Sequence, residues 1–167
     1  MNNIFGLLFI IVFGGVGLIS IFIIISLLLP VPIERTRTAL ETSPARSLLL
    51  GVINFLCVGV LDALLIWLAQ LTSGVKVVSG ILVIIGGLLT LALALMAFLG
   101  LASLADLLGQ HLGEPKNEFQ TIVRGGVLLL LAALTPFVGW FAFTPLVILF
   151  SLGAAIQAVV RRKEKAA

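Results

Sequence analysis

The chain has 167 residues, 61% of them hydrophobic and only 10% charged, with a mean hydropathy of +1.32 and a formal net charge of +3. Soluble domains are roughly 45–50% apolar and about 25% charged, so too few charges are present to solvate an ordinary globular surface. The apolar residues come in unbroken runs rather than in the alternating segments of about ten residues that build a membrane barrel, which predicts an all-α, polytopic helical bundle forming a single membrane domain over residues 1–167.

The first run is Ile4–Leu29, "IFGLLFIIVFGGVGLISIFIIISLLL", predicted as a span over 4–29. At 1.5 Å per residue it measures about 39 Å, enough to cross with tilt. The leading "MNN" has no Lys or Arg, the run is long for a signal peptide, and no small-x-small cleavage site follows it; a retained span is expected. Pro30-Val31-Pro32 ends it, and "PVPIERTRTALETSPARS" reads as a polar loop. Ser43-Pro44 then has the form of an N-cap followed by a first-turn proline, opening a second span over about 47–71.

The turn "TSGVK" leads to a third span over about 77–101. Leu101, Leu104, Leu108 and Leu112 continue the helical period, with Asp106, Gln110 and His111 on other faces, which predicts a juxtamembrane helix over about 102–112. "GEPKN" stops it, and Asn117 with Gln120 resembles a capping box at the start of a new helix. From Gly125 to Val160 the chain carries no charge. One straight helix of that length would be about 54 Å, far beyond a core of about 30 Å, so it must fold back. Pro136, Gly139 and Pro145 in "LTPFVGWFAFTP" supply the break, giving a fourth span over about 118–135 and a fifth over about 141–160. The rival reading is a re-entrant hairpin that dips into the bilayer and returns.

Charge orients the five spans. With the amino end outside and the tail inside, Arg35, Arg37, Arg46, Lys116, Arg124, Arg161, Arg162, Lys163 and Lys165 are cytoplasmic, and of the 10 Lys and Arg only Lys76 is outside. That is the bias of the positive-inside rule. Arg124 lies near the inner end of a short span and must snorkel. Trp67 and Trp140 fall near the outer interface, where aromatic belts sit. The basic residues have no aromatic interleaving, so they fit topology and anionic headgroups rather than nucleic acid. The single Cys57 gives neither an internal disulfide nor metal-ligand spacing and reads as a small buried hydrophobe.

The segments "PARSLLLGVINFL", "FLGLASLADLLGQHLG" and "GGVLLLLAALTPFVGWFAFTPLVILFSLGAA" resemble the multi-span membrane region at the C-terminus of some bacterial bactofilin-like, polymer-forming proteins and related stand-alone bacterial membrane proteins. The resemblance covers roughly Arg37–Val160. It implies a membrane module and supplies no catalytic residues; the β-helical polymer-forming domain of that family has no counterpart in this sequence.

Asp62, in "GVLDALL", is the one carboxylate inside an apolar run. At a helix centre an Asp costs roughly 2.5–3.5 kcal/mol to insert, so it needs hydrogen-bond partners or a function. Asn54 and Gln70 lie eight residues to either side, each about 80° round the helix, so the three make no single stripe. Ser20, Thr90 and Ser151 are the partners expected at similar depth. Asp62, Asn54 and Thr90 are therefore the candidate intramembrane polar site, read either as interhelical glue or as a proton or ion relay. Gly86, Thr90 and Ala94 form a small-xxx-small ridge, and Gly153 lies in the small-residue run "SLGAA"; all four are expected to pack helices closely. His111, Glu114 and Asp106 make a weak metal set and read better as a solvated polar face.

No nucleophile elbow, HExxH, P-loop or intramembrane aspartyl pair is present. The expectation is a non-enzymatic anchor, scaffold or assembly subunit of the bacterial cytoplasmic membrane, without metal or cofactor. Its partners would be the bilayer and a membrane protein or second copy. The alternative is a small proton- or ion-coupled transporter or channel using Asp62.

Overall fold

The computed structural model describes residues 2–72, 74–113, 117–135 and 137–164. The elements in order are α1 (Asn2–Leu28), α2 (Pro30–Thr42), α3 (Pro44–Leu71), α4 (Lys76–His111), α5 (Glu118–Leu134), a π-helical segment (Val138–Phe143) and α6 (Thr144–Glu164), with no strand among the described residues. Four stretches are long and apolar enough to cross a membrane: Phe9–Leu28, Pro44–Leu71, Lys76–His111 and Val138–Val160. Phe119–Leu134 is apolar but shorter. Apolar surroundings favour this all-helical solution because each helix satisfies its own backbone groups.

The segment read as a loop after Leu29 is the helix α2. Pro30 and Pro32 fall in its first turn, where a missing N–H costs nothing, so they start a helix instead of ending one. Ile33, Thr36, Ala39 and Leu40 form its buried stripe. Pro44 likewise opens α3 after Ser43, but the Ser43 side chain makes no capping bond; nor does that of Asn117 at α5. The predicted juxtamembrane helix is the continuous end of α4, and its residues Ala102, Ser103, Ala105 and Gly109 are buried within the bundle.

The turn between α5 and α6 differs from the predicted break. Pro136 lies outside the described residues. Phe137 has a positive φ of 63°, uncommon for a bulky residue. Gly139 is buried in the turn, where a Cβ would stand 2.6 Å from the Ala132 carbonyl oxygen and 2.7 Å from that of Ala133. Pro145 does not break the helix. It lacks an N–H and its ring crowds the carbonyl four residues back, and the ladder just before it is widened into the π-helical segment.

Packing is concentrated at one end of the bundle. There α6 lies against α2, α3 and α4, and α4 lies against α5. Glycines set the separation. A Cβ on Gly51 would collide with the Leu149 carbonyl, and one on Gly153 with the Ser47 carbonyl and, at 2.6 Å, the Gly51 nitrogen. Gly100 meets the backbone of Ser151, Gly109 that of Thr121, and Gly125 that of Ala105. These are backbone-on-backbone contacts that no side chain can yield to. Away from this end the helices are bare: between Gly51 and Ala69 no α3 residue is buried, and between Lys76 and Met96 only Gly86 of α4 is. Cys57 is exposed, correcting the expectation of a buried thiol, because it lies on the stretch of α3 where no residue is buried.

Gly153→Ala should lower stability by about 1–3 kcal/mol or more through overpacking against the Ser47 carbonyl. Gly59→Ala, where a Cβ meets open space, should leave stability unchanged. Thermal unfolding of both variants in mild detergent checks the contrast.

Candidate functional site

Asp62 sits on the face of α3 that meets α4. Its Oδ2 accepts a hydrogen bond of 2.6 Å from the Thr90 hydroxyl. Its Oδ1 is buried and has no hydrogen-bond partner among the described residues. That oxygen rests on Gly86, where a Cβ would stand 2.5 Å away. Gly86 and Thr90 are one helical turn apart on α4, so the glycine opens the space and the threonine supplies the donor. The expected ridge thus faces Asp62 at two of its three positions; Ala94 is half-buried. The apolar surroundings strengthen the Thr90 bond and make the unpartnered oxygen costly.

The other proposed partners go elsewhere. Asn54 is half-buried about 12 Å from Asp62 along α3 and makes no side-chain hydrogen bond among the described residues. The Ser20 hydroxyl donates to the Val16 carbonyl at 2.8 Å. Ser151 is fully buried in the seam against Gly100, and its hydroxyl has no partner among the described residues. Gly153, expected to pack helices, does so against Ser47.

Two further polar clusters lie at the packed end. The Ser47 hydroxyl donates to Gln157 Oε1 at 2.9 Å, and Gln157 Nε2 donates to the Ser43 hydroxyl at 2.8 Å. Ser43 is thus committed to α6 instead of capping its own helix. The sequence signal was Gln157 itself, a polar residue within the uncharged run Gly125–Val160. The second cluster joins α2 to α4: Arg37 Nη1 donates to Asp106 Oδ2 at 3.0 Å, and Gln110 Nε2 donates to the same oxygen at 3.1 Å. Asp106 is only 13% exposed, so it faces α2 and not solvent, which corrects the reading of a solvated polar face. His111 is exposed, with Nδ1 2.9 Å from the Leu107 carbonyl, and Glu114 lies outside the described residues. Among the described residues no three of His, Cys, Asp and Glu come together as a metal site.

Comparison with protein-family profiles, with curated proteins and with solved structures found no match. The chemistry of the site therefore rests on geometry alone: one carboxylate in an apolar helix held by one hydroxyl, and two polar clasps tying α2 and α6 into the bundle.

Thr90→Val should cost about 1–2 kcal/mol, since it leaves both Asp62 oxygens without a donor. In an Asp62→Leu background the same substitution should cost less than about 0.5 kcal/mol, because the interaction it removes is already gone. A double-mutant cycle on thermal unfolding measures this.

Proposed function

We propose that the chain is a non-enzymatic integral membrane protein of the bacterial cytoplasmic membrane, serving as an anchor, scaffold or assembly subunit. The observation that carries the reading is the contrast between glycine seams at the packed end and the bare apolar α3–α4 hairpin. Such a hairpin fits a lipid environment, and its polar residues serve to hold helices together. The likeness to the membrane region of bactofilin-like proteins belongs to the same proposal.

In this reading the chain crosses five times, the amino end outside and the tail cytoplasmic. The fourth crossing is α5, about 26 Å long against a core of about 30 Å, a mismatch that local thinning and a snorkelling Arg124 absorb. The contacts of Gly125 with Ala105 and of Gly109 with Thr121 set it antiparallel beside the C-terminal part of α4. The nine cationic residues on the cytoplasmic side include Arg35, Arg37 and Arg46 of the α2–α3 corner.

Single cysteines in a Cys57→Ser background test the topology. Asn3, Ser73 and Val138 should react with an impermeant thiol reagent from outside, and Lys165 only after permeabilisation; Val138 is chosen because it is exposed where its neighbour Gly139 is buried. Label at Val138 from the cytoplasmic side would make the last two segments re-entrant.

The unpartnered Oδ1 of Asp62 favours a second reading, a small proton- or ion-coupled transporter or channel. Asp62→Asn separates the two. A scaffold keeps its assembly and shows no flux to lose, whereas a relay keeps its assembly and loses ion flux in proteoliposomes.

A further inference from the structure

Two helix registers fix the level of Asp62. Gly51 lies against the Leu149 carbonyl. Asp62 follows Gly51 by eleven residues on α3, and Val138 precedes Leu149 by eleven on the antiparallel arm, so each stands about 16–17 Å from the seam along its helix. Gly100 lies against Ser151. Thr90 precedes Gly100 by ten residues, as Phe141 precedes Ser151, which is about 15 Å along each helix. The Asp62–Thr90 pair is therefore level with the π-helical segment. Eleven residues also bring Asp62 within about 20° of Gly51 round α3, on the side that α3 turns to α6. Cover there is partial: Asp62 is half-buried and Thr90 exposed. The π-helical segment packs on α5 and α6, without a comparable contact to α3. Lower on α3 and about 60° from Gly51, Asn54 is half-buried with no side-chain hydrogen bond among the described residues.

The α5–α6 turn decides the medium at this level. Phe137, with its positive φ, is exposed, and so are Val138 and Trp140. Irregular backbone is tolerated at membrane depth only where protein covers it or water reaches it, and this turn is bare. Tryptophan likewise favours the membrane–water interface. We propose that the space between the α3–α4 hairpin and the α5–α6 turn is a water-filled notch open to the outer face, with Asp62 and Thr90 on its wall and Asn54 toward its floor. It rests on the five-crossing reading, which puts the turn outside. Water in the notch solvates the Asn54 amide and the accessible edge of the Asp62–Thr90 pair, while Asp62 Oδ1 stays sealed against Gly86. The far side of the hairpin is different. Cys57 and Leu64 are exposed there, about 120–140° round α3 from Gly51, among apolar residues that lipid covers.

Reaction of single cysteines with a small charged methanethiosulfonate, added outside intact cells, tests the notch. Asp62→Cys in the full-length Cys57→Ser chain should react at least about tenfold faster than Leu64→Cys in that background or than Cys57 of the wild-type chain, because an apolar setting raises a thiol's pKa and removes the reactive thiolate. Asn54→Cys removes no hydrogen bond seen in the structure and should show the same preference; it carries the test if Asp62→Cys does not fold. Equal, slow reaction at all these positions would overturn the proposal, since hydrocarbon would then enclose Asp62. Equal, fast reaction would overturn it too, since the whole hairpin would then stand in water. Val138→Cys separates this failure from that of the reading beneath it. Label reaching Val138 from outside but not Asp62 or Asn54 sinks the notch alone, whereas label reaching Val138 and Asp62 only from the cytoplasmic side sinks the five-crossing reading.

Discussion

The backbone contact between α3 and α6 is the constraint from which the rest of the arrangement follows. Gly51 and Gly153 face each other with no room for a Cβ on either. Between apolar helices in lipid there is no hydrophobic gain on association, so affinity must come from close van der Waals contact and interhelical hydrogen bonds. Both are present at this seam. The glycines bring the backbones together, and that approach lets Gln157 reach Ser43 and Ser47 across it. The same device recurs where α4 meets α6 at Gly100 and where it meets α5 at Gly109 and Gly125.

With α6 seated in this way, the other features take their places. The short α2 closes over the end of the bundle, clasped by Arg37 to Asp106 and buried through Ile33, Thr36, Ala39 and Leu40. The remaining lengths of α3 and α4 extend as a hairpin with apolar outer faces. Asp62 belongs to that hairpin, and its role there is local. One oxygen is held by Thr90 and the other is closed off by Gly86, so the carboxylate fastens α3 to α4 on a stretch where few other residues are buried. An isolated polar fastening suits a place where packing is sparse, since a single hydrogen bond is a larger share of the total there.

Most of the helical architecture was legible from the run of apolar residues, and so was the pairing of Asp62 with Thr90. Depth matching alone selected Thr90 as one of three partners, and helical spacing placed Gly86 beside it. What could not be read were features in which tertiary contact overrides a local signal. Prolines 30 and 32 look like terminators because proline ends a preceding helix as readily as it begins the next. Ser43 has the composition of an N-cap, yet its hydroxyl is taken by a residue 114 positions away. Asp106 looks solvated in its own helix, and only the position of α2 turns it inward. Cys57 was expected inside because it lies in an apolar run, but in a membrane helix apolar neighbours say nothing about which face meets protein. The packing glycines other than Gly86 and Gly153 were hidden for a related reason: Gly is common in membrane helices, and Gly14, Gly17 and Gly59 have open space where a Cβ would go.

The most direct test of the α3–α6 seam is intramolecular crosslinking in native membranes. Cysteines replacing Ser47 and Gln157 in a Cys57→Ser background should join within one chain through a short bifunctional thiol reagent, since the native side chains meet at 2.9 Å. Cysteines at Val60 and Val160, which the antiparallel pairing places about 24 Å apart along the axis, should not. Efficient joining of the second pair, or none of the first, would contradict the account.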